Sequence, residues 1–226
     1  MCGRFATTLP NDAMAQLFAA APSNDLPDIP NYNVCPTNRV AAVSSDVLEG
    51  ADPQRRLQPM RWGFIPHWYK TPSDGPLLIN ARAETIAEKP AFKAAARARR
   101  CLLPASGFYE WTKDADGNRL PWYITRADGA PIVFAGVWQD WEKGEEPLRT
   151  CAIVTCAANR AISEIHHRMP VILEPENWPL WLGEAGKGAA ALMRPAAPDA
   201  LVWHRVDPAV NSNRASGAAL IEPLES

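Results

Sequence analysis

Proline sets the first limit on how this chain can fold. Of its 226 residues, 22 are proline, and each fixes φ, removes an N–H donor and breaks any α-helix it interrupts. They recur along the whole sequence, so the pattern predicts many short elements joined by stiff turns rather than long helices. Nine tryptophans supply bulky groups for those elements to bury. At this length the chain fits one domain, residues 1–226, with a sizeable core.

Read segment by segment, the pattern is β-rich. Arg4 to Thr7 predicts a short strand. Asn11 caps a helix running to about Ala20, with Met14, Leu17 and Phe18 on one face and Pro22 ending it. Val40 to Ser44 and Leu57 to Gly63 read as strands, and Phe92 to Arg99, just after Pro90, as a basic helix. Cys101 to Leu103, Phe108 to Thr112, Trp122 to Arg126, Ile132 to Trp138 and Thr150 to Thr155 follow as strands separated by turn residues. Ala158 to Ile165 and Pro175 to Leu182 read as helices, and Leu201 to Arg205 as a late strand. The tail from Pro208 has no regular pattern. The class is α+β, a single β-rich domain.

Charge and cysteine usage exclude several classes. A net charge of −2 and a pI near 6.1 rule out a generally basic nucleic-acid coat, so any such site must be a local patch. Five cysteines without a CxxC pair argue against a disulfide framework and a structural zinc site. Reduced thiols and a cytoplasmic protein are expected, with no metal and no cofactor. No apolar run reaches membrane-spanning length, and no signal-type segment follows Met1.

The opening Met1-Cys2-Gly3-Arg4-Phe5 puts a cysteine one cleavage from the amino terminus. With Met1 gone, Cys2 carries an amine and a thiol on adjacent carbons. The amine can condense with an aldehyde and the thiol can close onto the imine carbon as a thiazolidine. An α-amine pKa of about 7.7–8.0 leaves part of it neutral near neutrality, and ring closure is intramolecular. Read alone, Cys2 is equally an ordinary residue of a frayed terminus.

Three further segments put polar groups where a core pattern does not want them. Leu77-Leu78-Ile79-Asn80-Ala81-Arg82 ends an apolar run in an amide and a guanidinium. That is either a strand leading into a polar loop or an amide able to hold a reacting oxygen or orient a nucleophile. Phe108-Tyr109-Glu110-Trp111 encloses a carboxylate among aromatics. Glu110 is either solvent-facing on an alternating strand or buried, with its pKa raised toward neutrality and suited to proton transfer. In Ile165-His166-His167-Arg168 the adjacent histidines point to opposite sides of an extended chain, which makes them poor metal partners. One of them facing a cleft could act as acid or base. Asp114 to Asn118 reads as a hairpin turn rather than a calcium loop, which would need a later glutamate. Cys151 and Cys156 read as packing residues, and Cys35 as either packing or reactive.

Arg55, Arg56, Arg61 and Lys70 interleave with Trp62, Phe64, Trp68 and Tyr69, and Lys89, Lys93, Arg97, Arg99 and Arg100 follow. Cations beside stacking aromatics suit a groove for single-stranded nucleic acid; a solvated charged face beside core aromatics is the other reading.

Taken together and in order, these segments resemble the SOS response-associated peptidase (SRAP) family, proteins that crosslink to abasic sites in single-stranded DNA. The resemblance rests on the Met1 to Phe5 start, Tyr32-Asn33-Val34 with Pro36-Thr37, Trp62 to Pro66, Asn80 to Thr85 and Arg100 to Pro104. It continues through Gly107 to Trp111, Phe134 to Trp138 and His166 to Leu173, and so covers nearly the whole chain. Two departures stand out: Cys35 in place of the usual alanine, and His167 in place of a frequent acid, which leaves open how the neighbouring arginine is held.

The family resemblance implies a barrel-like mixed sheet with a few short helices. It also implies roles: Cys2 as nucleophile, Asn80 as the amide that steadies it, Glu110 and His166 in proton transfer, Arg82 on the phosphate beside the lesion, and Arg4, Arg168, Trp68 and Tyr69 as further DNA contacts. It implies removal of Met1 by the protein's own thiol peptidase activity, lyase-type imine chemistry, a monomer, and nucleoid association in the cytoplasm when acting on DNA. Two other classes remain: an N-terminal-nucleophile thiol amidohydrolase, and a non-catalytic single-strand binder.

Overall fold

The computed structural model describes residues 2–47 and 50–224; the expected removal of Met1 lies outside the described residues. Thirteen strands run in chain order: β1 Phe5–Thr7, β2 Ala21–Pro22, β3 Asn31–Val34, β4 Arg39–Asp46, β5 Gln54–Trp62, β6 Asn80–Arg82, β7 Arg100–Ala105, β8 Gly107–Lys113, β9 Arg119–Arg126, β10 Ile132–Trp141, β11 Leu148–Ala157, β12 Arg168–Pro170 and β13 Leu201–Arg205. Three α-helices accompany them, α1 Asn11–Phe18, α2 Pro90–Ala98 and α3 Trp178–Leu182. The longest of these, α2, has nine residues, as the proline spacing predicts, and Pro90 occupies its first turn. The class is α+β and mostly strands.

The strands form two sheets. One has the order β13-β9-β8-β1-β3. In the other, β11, β10, β7, β4 and β5 are neighbours in turn, and a parallel pairing of β5 with β11 (Arg61 opposite Thr150, Trp62 opposite Cys151) closes them into a ring. The expected barrel-like sheet is this ring. The other sheet packs its inner face onto the ring through aromatics. Phe5 lies 5.0 Å from Trp62 and 5.8 Å from Phe134, and Phe108 lies 5.9 Å from Phe134, centroid to centroid. Burying each phenylalanine contributes roughly 1.5–3 kcal/mol. A second, smaller core on the other face of that sheet joins Ala6, Tyr109 and Tyr123 to Val206, Val210 and Leu220. The patternless tail is therefore held down: two 3₁₀ turns, Pro208–Asn211 and Ala218–Ile221, supply its apolar anchors.

Three expectations need correction. Asn11 is not a cap but the first helical residue of α1, its side chain donating to the Pro27 carbonyl at 3.1 Å while Pro10 stands at the cap. Leu17 is 43% exposed, so the buried face is Met14 and Phe18, and the helix ends at Ala19 in a left-handed turn (φ 48) before Pro22 is reached. Ala158 to Ile165 forms only the 3₁₀ turn Ile162–Glu164. There Asn159 Oδ1 accepts the N–H groups of Ala161 and Ile162, and its amide donates to the Ala196 carbonyl. That local bonding competes with a helix and delivers His166 to the start of β12. The third concerns the basic run. Arg55 makes a paired contact with Glu184 (2.8 and 2.7 Å), Arg56 meets Asp46 at 2.8 Å, and Arg61 donates to the Gly63 carbonyl. Arg100 is spent on the carbonyls of Ala96, Arg97 and Trp181. These arginines tie elements together instead of lining a groove. Lys89, Lys93 and Arg97 remain exposed, four residues apart on one side of α2.

Candidate active site

The amino-terminal segment is laid against β8. Phe5 pairs with Phe108 and Ala6 with Gly107, and the Tyr109 N–H donates to the Arg4 carbonyl at 2.9 Å. This pairing draws Cys2 fully into the main core, where the Arg4 backbone N–H donates to its sulfur. Burial, and next the Glu110 carboxylate, push the Cys2 thiol well above the usual range, so it is protonated at rest.

Asn80 reaches the same place from the opposite sheet. Gly63, at φ +140 and with its N–H on the Cys151 carbonyl, turns the chain out of β5. A side chain there would strike Arg61 and Leu77. The excursion 64–79 that follows carries Trp68 and Tyr69 and returns as β6. Trp62 Nε1 and the Ile153 N–H both donate to the Ile79 carbonyl (3.0 Å each), which fixes the next residue. Asn80 Nδ2 then donates to the Cys2 carbonyl at 2.9 Å, while its buried Oδ1 has no partner among the described residues.

Glu110 alternates with Tyr109 on β8 and shares its face with Phe108, which points into the main core. Of the two readings of this residue, the buried one holds: it is 2% exposed. Desolvation raises its pKa, and positive groups including His167 and Arg119 pull the other way. Glu110, His166, Gly3, Arg4, Trp111, Thr112, Lys113 and Arg119 line one cleft of about 340 Å³. His166 Nδ1 lies 2.9 Å from the Arg168 N–H and 3.1 Å from the Arg168 carbonyl, contacts that hold the ring in place. Burial lowers the His166 pKa, which keeps the ring neutral at pH 7. His167 stacks on it with ring centroids 4.4 Å apart.

The arginines divide by what holds them. Arg168 is gripped by both oxygens of Glu84 (2.6 and 2.9 Å) and donates to the Thr155 carbonyl at 2.7 Å. Glu84 thus supplies the acid that His167 does not. Arg82 is exposed beside Asn80, opposite Thr155 of β11, and is in no ion pair among the described residues. Arg4 donates to Asn33 Oδ1 (2.6 Å) and the Val210 carbonyl (2.9 Å), and its guanidinium lies 6.0 Å from the Trp111 ring. Asn33, in turn, donates to the carbonyls of Ser212 and Ala215. Cys35 Sγ lies on the Asn33 carbonyl at 3.3 Å, which ties that thiol to the same hub. Trp68 is 44% exposed, and Tyr69 lies over Gly75 with its carbonyl bound by Trp141 Nε1.

Cys2, Asn80, Glu110 and His166 are thus gathered from four distant parts of the chain. Sequence reasoning missed the roles of Asn33, Lys113 and Arg119. The last two were legible: a hairpin turning at Asp114 to Asn118 must set Lys113 opposite Arg119.

The molecule is a closed, strand-rich framework whose first strand and β6 bring a buried Cys2 and the Asn80 amide together. More particularly, the model of the SOS response associated peptidase (SRAP) family matches residues 1–213, and the chain belongs to that family. It is 35% identical over 229 residues to the abasic site processing protein YoqW of Bacillus subtilis (98% of this chain, 99% of that one). It is also 35% identical over 233 residues to the abasic site processing protein YedK of Escherichia coli (99% and 100%). A crystal structure of a protein from Bacteroides thetaiotaomicron shares the fold, with a TM-score of 0.83 at 23% identity, covering 99% of this chain and 100% of that one.

Proposed function

We propose that this protein processes abasic sites in single-stranded DNA by forming a covalent thiazolidine through Cys2 after Met1 is removed. The observation that carries the reading is a buried Cys2 held by the Asn80 amide and close enough to feel the Glu110 carboxylate, which lines one cleft together with the neutral His166 imidazole. The names of its relatives in Bacillus subtilis and Escherichia coli support abasic sites as what is processed.

Each step has a residue suited to it. The Cys2 amine adds to the aldehyde of the opened deoxyribose, and the carbinolamine loses one water to give an imine. Glu110, with its raised pKa, donates the proton that departs with that water and recovers one afterwards. The sulfur then adds to the imine carbon, and its proton passes to the nitrogen. Asn80, bound to the Cys2 carbonyl, holds the aminothiol in place, and its unpartnered Oδ1 is available to the new amine or to a sugar hydroxyl. His166, kept neutral by burial, is the second acid–base group. Arg82 takes the neighbouring phosphate, with Arg4, Arg168, Trp68 and Tyr69 as further contacts. The same cysteine, carboxylate and imidazole would first release Met1 as a peptidase.

Mass spectrometry after incubation with an abasic single-stranded oligonucleotide tests the reading. A stable adduct on Cys2 supports it. Amide turnover without adduct would favour an amidohydrolase, and reversible binding alone a non-catalytic binder.

A further inference from the structure

The β8–β9 hairpin carries a pair of like charges that folding alone does not explain. Lys113 and Arg119 stand directly opposite each other across the two strands. Like charges in that position repel and destabilise a hairpin. Neither is in an ion pair among the described residues. Of the two acids in the turn, Asp114 is already engaged, accepting from the backbone of Asp116 and Asn118 and from the Asn118 side chain, while Asp116 is exposed within it.

Both cations line the cleft that holds Glu110 and His166, and Arg4 lines it too. Three permanent cations around one cleft, in a chain of net charge −2, make a strongly localised positive field. The Arg119 guanidinium is also placed, lying 4.5 Å from the centroid of the Trp111 ring. Trp111 is itself fixed, with Nε1 donating to Asn211 Oδ1 at 2.6 Å. A guanidinium laid on an aromatic face has fewer rotamers to lose on binding, and its planar fork suits two phosphate oxygens at once.

We infer that Lys113 and Arg119, with Arg119 braced on Trp111, form a phosphate subsite that grips an internucleotide phosphate of the bound single strand. The subsite lies on the hairpin side of the cleft, whereas Arg82 lies on β6 of the other sheet. The strand is thereby held by its backbone on two sides of the reacting residue. This inference rests on the proposed function for the identity of the strand, but its test does not require the covalent reaction.

The test measures binding of an undamaged single-stranded oligonucleotide between about 50 and 200 mM salt, the range over which counterion release dominates affinity. The parent is compared with Lys113→Gln/Arg119→Gln and with Lys187→Gln, an exposed cation on the loop after α3 that serves as a charge control. The double variant should show a log–log salt slope shallower by about 0.7 for each phosphate no longer neutralised, and the Lys187 variant the parental slope. The double variant loses the Lys113–Arg119 repulsion and the Arg119 stack on Trp111 together, so its melting temperature should stay near the parent's, and a thermal melt checks this. A double variant with the parental slope, or one shifted only as much as the Lys187 variant, overturns the subsite. Crosslinking of the parent to an abasic oligonucleotide is scored separately. If it fails while the slope change stands, the proposed function falls and the subsite survives.

Discussion

Replacing Glu110 by glutamine separates proton transfer from everything else this position does. The substitution keeps the shape and removes only the titratable group. A positioned acid–base group contributes about 10²–10⁴-fold in rate. Glu110 is 2% exposed, so bulk water does not replace it, whereas His166 in the same cleft takes over part of the work. The expected loss is therefore in the middle of that range, about 10³-fold or ~4 kcal/mol in barrier. Stability should move the other way. Burial raises the folded-state pKa of Glu110 above its unfolded value. Its contribution to stability is then full below the unfolded pKa and is lost as pH rises through the folded one. Glutamine mimics the protonated form, so the variant should match the parent in acid and melt at a higher temperature near pH 7. Single-turnover adduct formation on an abasic oligonucleotide, from about pH 6 to 9, together with melts at about pH 4, below the unfolded carboxylate value, and near pH 7, supplies both readouts. A Glu110→Gln variant reacting at the parental rate removes Glu110 from the mechanism, and slow reaction accompanied by a lower melting temperature would mean a folding defect instead.

Cys2→Ala should abolish the adduct on denaturing gels and leave affinity for undamaged single strands at the parental value, because the sulfur makes the bond and the cations supply binding. Asn33→Ala strips Arg4 of a charged hydrogen bond and leaves the Ser212 and Ala215 carbonyls without their donor. Denaturant unfolding should show a loss of about 2–3 kcal/mol, and limited proteolysis should cut the tail after Val210 sooner than in the parent. Glu84→Gln breaks the fork on Arg168, whose N–H orients His166. Arg168 holds the Glu84 carboxyl below its usual range, so this contribution is present above the unfolded pKa and lost as pH falls through the folded one. Glu84 is half exposed, and the pair is worth only about 0.2–1 kcal/mol; crosslinking should slow several-fold, with a shifted pH profile.

Much of this arrangement was written in local pattern. Proline spacing limits helix length, and β-branched and aromatic runs between turn residues mark β8, β10 and β11. The Met1-Cys2 start, the carboxylate among aromatics and the paired histidines each signal chemistry in their own segment. What local pattern does not carry is partnership over distance. The ring is closed by parallel contacts between β5 and β11, and Arg55 finds its acid 129 residues away at Glu184. A cluster of arginines thus reads as a nucleic-acid groove until its partners are known. The tail fails for the same reason: Val210 and Leu220 have no periodicity, and only the outer face of the sheet at Tyr109 and Tyr123 gives them somewhere to pack. The motif Tyr32-Asn33-Val34 marks Asn33 as part of the family pattern but not its role, which is to join Arg4 to that tail.

The central claim is that the bond to DNA forms at the Cys2 aminothiol and requires its amine to be unblocked. Intact-mass analysis of the protein after reaction with an abasic single-stranded oligonucleotide, followed by peptide mapping, tests it most directly. The account predicts a species equal to the chain without Met1 plus the oligonucleotide less one water, mapped to Cys2, and no such species when an uncleavable residue precedes Cys2. An adduct on a chain that retains Met1, or one mapped to a lysine or to Cys35, would contradict it.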